Sequence, residues 1–151
     1  MQTKFTISGF NDKKLEITPH LKLVEVIDFL GKKLHNLGLS FTPVEDGNEM
    51  PFADFTLSFA EYIGVKNCAY VDTNNCWFAD EILKTGIAED TGLTKIGGFY
   101  KYPLWQFKEE FLRAVDEDVY QKYSDEYDEY MNAMMPNEEP EEEPTMGMGG
   151  I

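Results

Sequence analysis

Few residues in this chain are of types that do covalent or metal chemistry. Its 151 residues include two histidines, His20 and His35, and two cysteines, Cys68 and Cys76. A nucleophilic mechanism needs a Ser or Cys with a base beside it to take the proton. His20 follows Pro19, and His35 sits among Lys32, Lys33 and Asn36, so both read as surface residues. The cysteines are eight positions apart, with no CxxC and no paired Cys/His spacing. They are expected to be reduced thiols. Asp72-Thr73-Asn74-Asn75 offers oxygen ligands but lacks the alternating positions and distant bidentate Glu of a calcium loop. Asp72 is therefore read as a turn or cap residue. Thr91-Gly92 and Gly97-Gly98 have no helix start after a strand and do not form a phosphate-binding loop. The expectation is no catalytic residue, no metal and no cofactor. An enzyme of unrecognised type would have to use Asp72 with the 91–102 loop.

Carboxylates, by contrast, are abundant. Lys plus Arg number 13 and Asp plus Glu 28, a formal net charge of −15. Residues 1–107 hold 10 basic and 14 acidic side chains (−4), and residues 108–151 hold 3 and 14 (−11). Such a surface repels nucleic acid and anionic lipid, whose binding relies on Lys and Arg. From Lys108 onward Leu112, Val115, Val119, Tyr123, Tyr127, Tyr130 and Met134 recur every three or four residues, one face of a helix. Acids fill much of the rest. That pattern predicts a stripe packed on a sheet and a carboxylate row facing water. The row is a sparse polyanion, and the tyrosines are a residue type enriched at binding hot spots. The expected partner-binding residues are Asp116, Glu117, Asp118, Tyr120, Tyr123, Asp125, Glu126, Tyr127, Asp128, Glu129 and Tyr130. The expected partner is a basic protein surface, with no direct nucleic acid and no membrane.

The remaining elements must position that helix. Residues 2–8 and 14–18 alternate apolar and polar around Gly9-Phe10-Asn11-Asp12, as a β-hairpin does. Leu23, Ile27, Leu30, Leu34 and Leu37 fall at helical spacing, so a helix over 23–37 is expected, stopped by Gly38, with Gly31 as a weak point. Residues 39–44 and 52–59 flank a polar Asp-Gly loop as a second hairpin. Residues 68–72 read as a buried strand, and Asn74 or Asn75 as the cap of a helix over 76–85 ended by Gly86. Residues 99–107 read as a strand that Pro103 confines to an edge or a bulge. The helix over 108–131 is ended by Pro136. The fold class is α+β: a small antiparallel or mixed sheet of hairpins with two packed helices and a long acidic C-terminal helix. Residues 1–135 form one domain, and 136–151, rich in Glu, Pro and Gly, a flexible tail. The acidic arm is expected to be separable by truncation. No secretion signal and no apolar run of membrane-spanning length is present, which points to the cytoplasm.

An ordered series of motifs between 46 and 107 resembles a family of small proteins known only as a domain of unknown function, carried on conjugative elements and phages of gut bacteria. The matching pieces are Pro51-Phe52-Ala53 with Thr56-Leu57; Ala69-Tyr70-Val71-Asp72-Thr73-Asn74-Asn75; Gly86-Ile87-Ala88-Glu89 with Thr91-Gly92; and Gly98-Phe99 with Tyr102-Pro103-Leu104 and Phe107. The resemblance implies a genomic setting and no mechanism. The opening, Met1-Gln2, Leu15-Glu16-Ile17, Pro19 and a helix bearing Leu23, Val26 and Leu30, looks like a ubiquitin-like β-grasp, and Gly149-Gly150 stands near the end, followed by Ile151. Together these readings describe a non-enzymatic accessory protein of a mobile element that binds a basic protein surface. Its specific form would be a nucleic-acid-mimicking inhibitor of a host defence nuclease, of the antirestriction or anti-CRISPR type. The alternative is an interaction module whose acidity only keeps it soluble.

Overall fold

The computed structural model describes residues 3–9, 13–44 and 54–134. The expected turn residues 10–12, the polar loop 45–53 with Pro51-Phe52-Ala53, and the tail from 135 onward lie outside them. The order is β1 (Phe5–Ser8), β2 (Lys14–Ile27), β3 (Lys33–Pro43), β4 (Thr56–Leu57), β5 (Cys68–Val71), α1 (Ala79–Lys84), β6 (Ala88–Gly97), β7 (Tyr100–Phe107), α2 (Glu109–Val115) and α3 (Glu117–Met134). The class is α+β, as expected. Two antiparallel sheets run β1-β2-β3 and β4-β5-β7-β6. They are joined at residues 54–56. Ser40 bridges Asp54, the Phe55 amide donates to the Leu39 carbonyl at 2.8 Å, and the Asp72 amide donates to the Phe55 carbonyl at 2.9 Å. No helix among the described residues is long and apolar enough to cross a membrane.

The helix expected over 23–37 does not form. These residues end β2, turn, and begin β3, with Leu23 opposite Leu37 and Val26 opposite Leu34. The deciding pattern starts upstream. Leu15, Ile17, Pro19, Leu21 and Leu23 alternate with polar residues, and Leu37, Leu39 and Phe41 alternate again, which is strand periodicity. The helical spacing was an accident of two strands joined by a turn. Asp28-Phe29-Leu30-Gly31 places Asp first and Gly fourth, a type I turn signature. Gly31 has φ +83°, the left-handed conformation that follows such a turn and that favours glycine. Of the residues on which the ubiquitin-like likeness placed a helix, Leu23 and Val26 therefore lie in β2 and Leu30 in the turn. Pro19 sits inside a long strand because β1 pairs only with Lys14 to Ile17, leaving β2 one neighbour beyond that point.

Two further expectations change. The helix over 76–85 is shorter, and neither Asn74 nor Asn75 caps it. Phe78 stands at its N-terminus without a side-chain cap, and Asn75 bonds Asp72 instead. The 91–102 loop is a hairpin, most of β6 and the start of β7. Pro103 lies beside a bulge in β6 between Asp90 and Thr94, where a missing N–H is tolerated.

One core spans both sheets and all three helices. Phe5, Ile17, Leu39, Phe41 and Phe55 meet Val71, Phe78, Ile82, Trp105, Phe111, Leu112, Tyr120 and Tyr123. Phe41 anchors it through edge-to-face contacts with Phe5, Phe55 and Phe78, the closest at 5.1 Å between ring centres. The acidic helix thus contributes core residues. It is not an arm that can be cut away with the body left intact.

Candidate functional site

The C-terminal helix forms in two pieces. Asp116 is extended (φ −160°, ψ 97°) and breaks the run. Its Oδ1 accepts the Val119 amide at 3.1 Å and its carbonyl accepts the Tyr120 amide at 3.0 Å, so it caps the start of α3. This gives the expected contact residue Asp116 a structural duty.

The tyrosines of α3 face inward. Tyr120, Tyr123 and Tyr130 are buried and Tyr127 is half-buried. Each hydroxyl is bonded. Tyr120 donates to Asn67 Oδ1 at 2.7 Å, Tyr123 accepts the Asn67 amide at 2.9 Å, Tyr127 donates to the Gly64 carbonyl at 2.8 Å, and Tyr130 donates to Asp28 Oδ2 at 2.9 Å. Burial raises the Tyr120, Tyr123 and Tyr127 hydroxyls above the usual phenol range, and the bond to the Asp28 carboxylate raises that of Tyr130. Three of the four rings are therefore withdrawn from solvent, and the fully exposed members of the expected set are all carboxylates.

Those carboxylates divide into two groups. Glu126 turns toward β3, accepting the His35 amide at 2.7 Å and His35 Nδ1 at 3.0 Å. Glu117, Asp118, Asp125, Asp128 and Glu129 are exposed. At 3.6 residues per turn they occupy an arc of about 120°, opposite the tyrosines, over about 18 Å of helix. Arg113 pairs with Glu109 and Glu117, and Lys66 with Asp128 at 3.0 Å. Asp118, Asp125 and Glu129 have no cationic partner among the described residues. Lys122 is the one cation that α3 itself carries.

The residues considered for catalysis are occupied in turns and packing. Asp72 is buried, with Oδ1 accepting the Asn75 amide at 3.1 Å and Oδ2 the Asn75 side-chain amide at 2.9 Å. Cys68 and Cys76 are free and buried. Burial pushes their thiols up to about 11 and about 12, with Asp72 and Asp54 adding to the rise at Cys76. Such thiols are poor nucleophiles. His20 Nε2 lies 2.7 Å from Thr42 Oγ1. No group of three His, Cys, Asp or Glu side chains placed to hold a metal occurs among the described residues. An open cavity of about 380 Å³ lies between the β2–β3 turn and the end of α3, walled by Ile27, Phe29, Tyr62 and Met131. Its carboxylates are engaged. Asp28 accepts the Leu30 and Lys32 amides and the Tyr130 hydroxyl, and Glu61 pairs with Lys95.

Two asparagines that sequence reasoning passed over hold this region together. Buried Asn36 donates to the Glu61 carbonyl and accepts the Ile63 amide, both at 2.9 Å. Asn67, with φ +67°, serves two tyrosines of α3. An Asn is expected in the left-handed region, but nothing in the sequence says which hydroxyls it meets. No family model, no curated protein and no solved structure matches this chain.

Proposed function

We propose that the protein is a non-enzymatic binding module whose α3 face docks on a basic protein surface. The observation that carries the reading is the sorting of α3: its tyrosines are bonded inward, and five carboxylates stand outward along one arc. Their spacing, about one charge per 3–4 Å of helix, is roughly half the axial charge density of duplex DNA. The groove of a nucleic-acid-binding protein, built for phosphates, is the basic surface that such a row fits. A mobile-element setting, which the sequence resemblance implies, makes a host defence nuclease the specific partner. Long-range attraction would make association fast and salt-sensitive. The alternative, that the acidity only solubilises, draws on the Arg113 and Lys66 pairs, which already neutralise part of the row.

The test uses nucleases freed of nucleic acid, with the full chain immobilised. The expected result is capture that duplex DNA competes away and that weakens as salt rises. Asp118→Asn with Asp125→Asn and Glu129→Gln should lose about tenfold or more in affinity, since each removes a charge steering the encounter. Capture indifferent to salt, to DNA and to the triple variant would overturn the reading and leave the solubilising one.

A further inference from the structure

The cavity at the end of α3 combines apolar, aromatic and anionic groups. Ile27 and Met131 form its apolar wall, Phe29, Tyr62 and Tyr130 its rings, and Asp28 and Glu61 its charges. Its volume, about 380 Å³, is at the small end for a ligand pocket, so it suits a small molecule or a single side chain. The Tyr62 and Tyr130 ring centres lie 5.2 Å apart with their planes at 73°, which makes a corner rather than a stack. Phe29, on the β2–β3 turn, is 81% exposed.

The electrostatics of the walls select the occupant. Asp28 is bonded by neutral donors, the Lys32 and Leu30 amides and the Tyr130 hydroxyl, which stabilise its negative charge without cancelling it. Donation to a carboxylate enriches the Tyr130 ring in electrons and strengthens its attraction for a cation. Burial first, and the Glu126 charge second, raise the Tyr62 hydroxyl above the usual phenol range, so that wall also stands in a negative field. One cation already answers this field. The exposed Lys32, which is not part of the cavity wall, holds its ammonium 5.8 Å from the Tyr130 ring centre. Glu61, by contrast, has Lys95 as its counter-ion. Ile27, Phe29 and Met131 offer no strong acceptor to replace the water that a primary ammonium would lose on entering. A quaternary ammonium has no N–H to satisfy, and its methyl groups pack against rings.

We propose that this cavity binds a quaternary ammonium group, with its methyls against Phe29, Tyr62 and Tyr130 and its charge beside Asp28. Tyr130 lies on the inward side of α3, so the site is separate from the outward carboxylate arc and does not rest on the docking proposed for it. The same group is carried by choline-like small molecules and by trimethylated lysine side chains.

The experiment is an NMR titration of the full chain with tetramethylammonium, choline and a peptide carrying one trimethyl-lysine. The expected result is saturable shifts at Phe29, Gly64 and Met131 at millimolar concentrations. Choline bound more tightly than the peptide marks a small-molecule ligand and the reverse a methylated protein, and either order supports the quaternary group. The neutral isostere of choline, in which carbon replaces the nitrogen, should bind about fivefold more weakly, the size of a cation–π contribution. Phe29→Ala should weaken binding about two- to fivefold and leave the melting temperature unmoved, because the ring is exposed. Gly64→Leu should block the site. A Cβ at Gly64 meets Met131 Cε at 3.7 Å, an ordinary contact, so a larger side chain there is directed at the cavity wall without a clash. No saturable shift with any of the three cations, equal binding of the neutral isostere, or binding unchanged in both variants would overturn the proposal.

Discussion

The outer face of α3 and the β6–β7 ribbon are opposite solutions to being exposed. The helix is acidic outside and tied to the core underneath by four tyrosines with bonded hydroxyls. The ribbon is neutral in sum, apolar outside, and beyond Leu104 has no strand but its own partner. Charge stands where the backing is rigid, and apolar surface where it is thin. A repulsive carboxylate row needs a scaffold that holds it in place. An apolar ribbon gains by finding a second surface. The two regions thus present different chemistry to solvent, one acidic and one apolar.

The sharpest way to break the contrast is to truncate one ring from each region. Tyr123→Ala should cost about 3–5 kcal/mol in urea denaturation, as for other large aromatic residues removed from a core. Phe99→Ala, at a fully exposed side chain, should change stability by less than about 0.5 kcal/mol. Equal costs would mean that the ribbon is part of the core or that the helix is peripheral.

A smaller effect is expected from Asn36→Ala, which leaves the Glu61 carbonyl and the Ile63 amide without their side-chain partner. The cost should be about 1–3 kcal/mol, the price of an unsatisfied buried polar group. Hydrogen exchange at the Ile63 amide should speed up more than at Leu104 of the second sheet. Unchanged exchange at Ile63 would show that the 58–64 segment is held by packing alone.

How much of this was legible follows from the range over which each feature is determined. The α3 stripe and its acids are local and periodic, so the helix and its outward charge could be read directly. Where the tyrosine hydroxyls go depends on Asn67, Gly64 and Asp28, residues 53 to 102 positions away, and no spacing rule reaches them. The 23–37 segment failed for a different reason. Two strands meeting at a four-residue turn reproduce helical spacing across the turn, although the alternation at 15–23 just before it is that of a strand. The Asp28-to-Gly31 turn signature was present and would have decided it. The β6 strand is not legible in the sequence because most of its residues are exposed, which leaves no clear alternation of apolar and polar residues to detect.

Acid should separate the two regions by another route. The Lys32 and Leu30 amides and the Tyr130 hydroxyl bond the Asp28 carboxylate, and they hold it below its ordinary value of 3.8. A lowered acid contributes stability that is present above its unfolded value and is lost as pH falls through the folded one. Below pH 3.8 the β2–β3 turn and the end of α3 should loosen together, seen as faster amide exchange at Leu30 and Lys32. Asp28→Asn should remove that acid step and leave exchange in the ribbon unchanged. A step that persists in the variant would assign it to another carboxylate.

The smallest effect bears most directly on why the row exists. Asp125 and Glu129 are one turn apart on α3, as are Asp125 and Asp128, and such like-charge pairs destabilise a helix by about 0.2–0.5 kcal/mol each. Glu129→Lys converts one repulsive pair into the favoured order of acid followed by base four residues on. Stability should rise by a few tenths of a kcal/mol, and the gain should shrink as salt screens it. Affinity for a basic partner should move the other way. If the row serves binding, stability and affinity change with opposite signs in a single variant, because the repulsion tolerated by the free chain is what the partner relieves. If the row only solubilises, the stability gain remains and affinity for any partner held elsewhere on the surface is untouched.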